Sequence, residues 1–127
     1  MWKGRIASAA LAATLAIPGL TSCAHNQAGG QLAPANAVTV DVNNQNFYSM
    51  DVYLVSDGLP TRLGTVNSNH EESFVLDPSV ISQDLRIVAA PIGGNGRAST
   101  GTIVAAPGQT IEFRIAPLLR NSTTYIR

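Results

Sequence analysis

One thiol exists in this chain of 127 residues, Cys23, and it closes the run Leu20-Thr21-Ser22-Cys23. A single cysteine cannot form an intrachain disulfide, so its chemistry is that of a nucleophilic thiolate. His70, Glu71 and Glu72 offer a second chemistry, metal ligation. On an extended chain neighbouring side chains diverge, so His70 and Glu72 are the pair able to share one ion, with Asp51 or Asp57 needed as a third ligand. A solvated polar turn guarding a strand edge is the better reading, and no metal or other cofactor is expected. His70 is also the one histidine available as a catalytic base beyond the N-terminal segment. Ser68, Ser73 and Asp77 are its sequence neighbours, yet no Gly-x-Ser-x-Gly elbow accompanies them, so no enzyme is expected.

Two loops carry the remaining candidates. Gly93-Gly94-Asn95-Gly96-Arg97 suggests an anion cradle but lacks the Gly-Lys-Ser/Thr ending and the following helix that a phosphate requires. Asn95 and Arg97 therefore stand as binding-loop candidates, together with Asn44, Phe47 and Tyr48 on the loop after the first strand. Phe47 and Tyr48 suit stacking on a sugar or a protein partner, or Phe47 plugs the end of the domain.

The elements that must position these residues begin with the N-terminus. Met1 to Arg5 carries two positive charges, and Ile6 to Leu20 is rich in Ala, Leu and Ile until Pro18-Gly19 breaks it. A permanent membrane helix needs roughly 20 apolar residues, so the run reads as a secretory signal instead. Leu20-Thr21-Ser22-Cys23 resembles the lipobox of bacterial lipoprotein precursors. The resemblance implies that the Cys23 thiol receives a diacylglyceryl group, that residues 1–22 are cut away as a lipoprotein signal peptide, and that the new amine is acylated, with palmitate as a typical chain. Two or more chains make a stable anchor where one is marginal. Ala24 is not the aspartate that retains enteric lipoproteins in the inner membrane, which favours the outer one.

Residues 23–36 then form the lipidated N-terminus and a flexible tether. AHNQAGGQLAPAN has no apolar period and no fixed charge, and about 13 such residues reach near 20 Å. Its His25 reads as a solvated linker residue. Once Lys3 and Arg5 are lost, six arginines face eight acids, a net of about −2 with no lysine, so nucleic acid is not a partner.

Residues 37–127 read as one all-β domain. Val38, Val40 and Val42 alternate with polar positions, as do Val52 and Leu54, Leu85, Ile87 and Ala89, and Ile111, Phe113 and Ile115. Further strands are expected over 63–66, 73–76, 102–105 and 122–126. Phe74 and Leu76 are expected in the core, Leu85 to Ala90 is expected to lie most centrally, Asp77 should cap one helical turn through Ile81, and Pro107-Gly108 fits a type II turn. The spacing predicts a small antiparallel β-sandwich of seven or eight strands, with a small β-barrel as the alternative. Asn43-Asn44, Asp51-Val52, Arg62-Leu63-Gly64-Thr65-Val66, Leu85-Arg86, Pro91-Ile92-Gly93, Val104 and Pro107-Gly108 together make residues 38–115 similar to uncharacterised small secreted or lipid-anchored β domains of bacteria, a resemblance that brings no activity with it.

The expectation is a protein of the bacterial cell envelope, held to a membrane by its N-terminal lipid, whose sandwich interacts with an envelope protein partner or gives structural support. The alternatives are a small-ligand or metal-binding periplasmic module and an enzyme of unrecognised type.

Overall fold

The computed structural model describes residues 34–127. They form eight strands: β1 (Val38–Asn44), β2 (Met50–Ser56), β3 (Leu59–Val66), β4 (Glu71–Leu76), β5 (Leu85–Pro91), β6 (Ala98–Ser99), β7 (Thr110–Ile115) and β8 (Thr123–Ile126). One sheet has the order β4-β1-β7-β8 and the other β3-β2-β5-β6, so the domain is a two-sheet sandwich with no closed barrel. Five of the six pairings are antiparallel. The sixth joins β1 to β7 in parallel, from Thr39 opposite Thr110 to Asn44 opposite Ile115.

The core follows from the period-2 patterning. Every second residue of β1 is buried, and Val38, Val40 and Val42 meet Ile111, Phe113 and Ile115 on one inner face. Met50, Val52, Leu54, Leu85, Ile87 and Ala89 line the other, completing one apolar cluster. Burying each such side chain contributes about 1.5–3 kcal/mol, so the two inner faces hold the layers together. Leu76 is fully buried, while Phe74 is partly buried and packs against this cluster from the sandwich edge. β2, flanked by β3 and β5, is the best-covered strand of its sheet; β5 is bordered on its far side by the two-residue β6.

Several local features follow their sequence cues. Asp77 accepts a hydrogen bond from the Ser79 N–H at 2.8 Å and caps a single 3-10 turn over Pro78–Val80. Gly108 takes a φ of 83°, and the Gln109 N–H bonds to the Ala106 carbonyl, as a type II turn requires.

Two elements differ from expectation. β3 starts at Leu59 rather than near Leu63, with Pro60 inside it; an edge strand tolerates a proline because the missing N–H is not needed on the open side. The strand expected over 102–105 is reduced to one bridge, Ile103 to Leu85, and the ladder partner of β5 is Ala98–Ser99 instead. The cause is Thr100, whose hydroxyl oxygen accepts the Ile87 N–H at 3.0 Å in place of a backbone carbonyl. Gly101 then turns the chain away at a φ of 74°.

The strand directions decide what lies at each end. Asn44 neighbours Ile115, Asn43 pairs with Glu71, and Met50 pairs with both Val66 and Pro91. The loops 45–49, 67–70, 92–97 and 116–122 therefore share one end. The chain enters β1 at the other end, where Val38 pairs with Leu76 and Ser56 pairs with Leu59 and Leu85.

Candidate functional site

Two asparagines build the loop end. The Asn44 side chain is fully buried, and its Nδ2 donates to the carbonyls of Tyr48 (2.8 Å), Val66 (3.2 Å) and Asn67 (3.0 Å). Its Oδ1 accepts the Asn46 N–H at 3.0 Å, an Asx turn. Asn46 repeats the device, its Oδ1 accepting the Tyr48 N–H at 3.1 Å while its Nδ2 donates to the carbonyls of Pro117 (2.9 Å) and Ala116 (3.3 Å). The Ser68 hydroxyl donates to the Asn46 carbonyl at 2.9 Å. Three loops from different parts of the chain are thus tied by two amide side chains.

Of the binding-loop candidates, Asn44 has every polar atom of its side chain engaged and none in solvent, and it does not line the depression described below. Phe47 and Tyr48 are the residues this network displays. Phe47 is 78% exposed, so it does not plug the sandwich end. Tyr48 is also exposed, with its ring edge against the glycine loop.

That loop closes onto the same place. A Cβ on Gly94 would meet the Tyr48 ring at 3.4 Å, and one on Gly96, at a φ of 91°, would meet Leu119 at 3.3 Å. Only a glycine serves easily where the backbone passes this close at positive φ. The Ile92 N–H bonds to the Ser49 carbonyl, fixing the start of the loop. The third side is Pro117 to Arg120, folded back by a 3-10 turn over Leu119–Asn121 and by the Ser122 hydroxyl, which accepts the Ala116 N–H.

Asn46, Phe47, Tyr48, Pro91, Asn95, Gly96, Arg97 and the Pro117–Arg120 segment surround a depression of about 390 Å³. Of the sequence-derived candidates, Phe47, Tyr48, Asn95 and Arg97 converge here. Sequence reasoning missed Arg120, Leu118 and the role of Asn46. An available signal was Pro117-Leu118-Leu119-Arg120, two leucines and a charge placed directly after a strand terminator.

Two other surface hollows are of a different kind. One, of about 400 Å³, lies on the outer face of the first sheet, where most of the charged groups already have partners. Arg127 pairs with Glu112 and Asp41, Asn43 donates to Glu71, Ser73 donates to Asp41 at 2.6 Å, and Arg114 donates to Gln45 at 2.9 Å. The other, of about 240 Å³, lies on the second sheet between Tyr53, Val55, Pro60, Val88 and Ala90, with Arg97 on its rim.

His70 and Glu72 do not gather a third ligand. The His70 Nδ1 lies 2.8 Å from the Ser68 carbonyl, Asp57 sits in the hairpin turn at the opposite end, and Asp51 is held by Arg62 (2.8 Å) and Thr65 (2.6 Å). Among the described residues no three His, Cys, Asp or Glu groups cluster as metal ligands. The Thr65 hydroxyl and then Arg62 hold the Asp51 carboxyl below its ordinary value, and the Ser79 N–H and hydroxyl do the same for Asp77. Cys23, Leu20, Thr21, Ser22 and His25 lie outside the described residues. Among the described residues no helix is long and apolar enough to cross a membrane.

The site is therefore a depression walled by three loops at one end of an all-β sandwich. No family model matches the sequence, and no curated protein matches it either. A solved structure described as the NMR structure of the protein from Eubacterium rectale is similar to it, at 12% identity and a TM-score of 0.48, over 72% of this chain and 88% of that one.

Proposed function

We propose that this chain is a lipid-anchored protein of the bacterial cell envelope, attached through Cys23 to the outer membrane, whose sandwich serves in recognition rather than catalysis. The anchoring half rests on the lone cysteine at the end of Leu20-Thr21-Ser22-Cys23, after a short apolar run broken by Pro18-Gly19. The observation that carries the recognition half is the convergence of three loops on one depression, with Phe47 and Tyr48 displayed by a fully satisfied amide network. Rigid sandwiches carry recognition on their loops because the strands fix loop positions while leaving loop sequence free. The partner would be a molecule of the periplasm or the cell surface.

The anchor is tested with Cys23→Ser. Metabolic labelling with an alkyne fatty acid should mark the wild type and not the variant, which should accumulate as uncleaved precursor. Normal cleavage and unchanged membrane retention of the variant would count against lipidation. The recognition half is tested with a photo-crosslinking amino acid at position 47 in cells, compared with one at Val104, which is equally open but lies away from the loop end. A reproducible adduct from position 47 alone is expected; none, or equal adducts from both, would refute it.

A further inference from the structure

The arginines of the sandwich fall into two groups. Arg62 pairs with Asp51, Arg86 with Asp84, Arg127 with Glu112 and Asp41, and Arg114 donates to Gln45. Arg97 and Arg120 have no acidic or hydrogen-bonding side-chain partner among the described residues. Both line the loop-end depression, from different loops, and no Asp or Glu lines it with them. In a domain carrying eight acids against six arginines, that placement concentrates positive charge at one site.

Resting on the recognition role argued above, we propose that the depression binds a carboxylate-bearing peptide segment of a protein partner, with Arg97 and Arg120 receiving the carboxylates and Phe47, Tyr48 and Leu118 the apolar side chains beside them. Guanidinium forks match carboxylates in two parallel hydrogen bonds and desolvate more easily than an ammonium. The rest of the lining is apolar or already engaged: Pro91, Pro117 and Leu119 offer carbon, and the Asn46 amide is taken by backbone. A saccharide would find few partners for its hydroxyls beyond the two arginines, since Asn95 and the Tyr48 hydroxyl are the other side-chain groups left, and it would leave the arginines' full charge unmatched. An inorganic anion would face an apolar shelf it cannot use. A ligand alternating negative charge with apolar side chains complements both features at once. The Asx turns and the Ser122 contact preset the loops, so little ordering accompanies binding.

The test uses the full-length protein in detergent and a hexapeptide alternating glutamate with leucine or phenylalanine, against its glutamine counterpart, an oligogalacturonate and phosphatidylglycerol vesicles. Saturable binding of the glutamate peptide is expected, at least about tenfold tighter than the glutamine one. Arg97→Ala and Arg120→Ala should each weaken it about tenfold, Arg97→Lys should restore it only in part, and Arg86→Ala should leave it unchanged. Urea midpoints equal to wild type confirm that both variants fold. No binding, equal binding of the two peptides, indifference to both arginines, or arginine-dependent binding of the sugar or vesicles instead would each overturn the proposal. Adducts from position 47 that survive both arginine substitutions would leave recognition standing and remove the carboxylate assignment; loss of all adducts in the wild type would remove recognition itself.

Discussion

Substituting Asn44→Ala takes out the junction of three loops. The amide has two hydrogens for three carbonyl oxygens, and its own oxygen holds the Asn46 N–H. That amounts to about three net hydrogen bonds at roughly 1 kcal/mol each, with about 1 kcal/mol more for the Asn46 N–H left unpaired where water has poor access. The sum, about 3–4 kcal/mol, is a large share of the roughly 5–15 kcal/mol that hold a domain together. In urea, at a slope near 1.5 kcal/mol per molar, the midpoint should fall by about 2 M with the slope unchanged. Circular dichroism is the suitable probe, because the one tryptophan, Trp2, is in the N-terminal segment and not in the sandwich. Asn44→Asp sharpens the test. It keeps the acceptor for Asn46 but sets a second oxygen against the three carbonyls, so it should be at least as unstable as Asn44→Ala at neutral pH. It should recover in part on acidification, when protonation of the new carboxyl restores a donor. A midpoint shift under about 0.3 M for Asn44→Ala, or an Asn44→Asp variant as stable as wild type at pH 7, would refute the assignment of this side chain as the junction.

Further outcomes follow from the core and the outer faces. Gly64→Ala puts a methyl 2.8 Å from the Phe74 ring and should cost about 1–3 kcal/mol in thermal unfolding, with part recovered by Phe74→Leu in the same background. Phe113→Ala, at a position 1% exposed, should cost about 3–5 kcal/mol in urea; a loss below 1 kcal/mol would contradict its central place. The Asp51 and Asp77 carboxyls sit below their ordinary 3.8, so the stability they contribute is present above that pH and is lost as pH falls through their lowered folded values. Asp51→Asn should therefore flatten the acid limb of the stability profile below about pH 4, and an unaltered limb would count against the Arg62 and Thr65 contacts.

Much of the sandwich is legible from the alternation in β1, β2, β5 and β7, because each has one dry face and one wet face and a slip of one residue would reverse them. β6 is not legible, since Ala98 and Ser99 carry no pattern and Thr100 lends a side chain to the ladder. The candidate site was half legible. Phe47, Tyr48 and Arg97 stand out as exposed chemistry on loops, whereas Asn44 looks identical in sequence to a ligand contact until the carbonyls around it are known. Arg120 and Leu118 could be placed beside Arg97 only by knowing that β1 and β7 run in the same direction. That is a long-range pairing, and no local pattern encodes it.

The parallel pairing also orders events in time. Val40 sits beside Ile111, so the first strand has no β7 neighbour until nearly all of the chain is made, while the β2–β3 hairpin can close through Asp57-Gly58 at once. Contacts of such high sequence separation form late and slowly. A newly made chain can thus hold the β3-β2-β5 strands and the β1–β4 pair while the other edge of β1 still waits for β7. The locking of β1 against β7 is among the last steps of folding, and removal of β7 and β8 should leave one edge of β1 unpaired and aggregation-prone, with β4 still on the other.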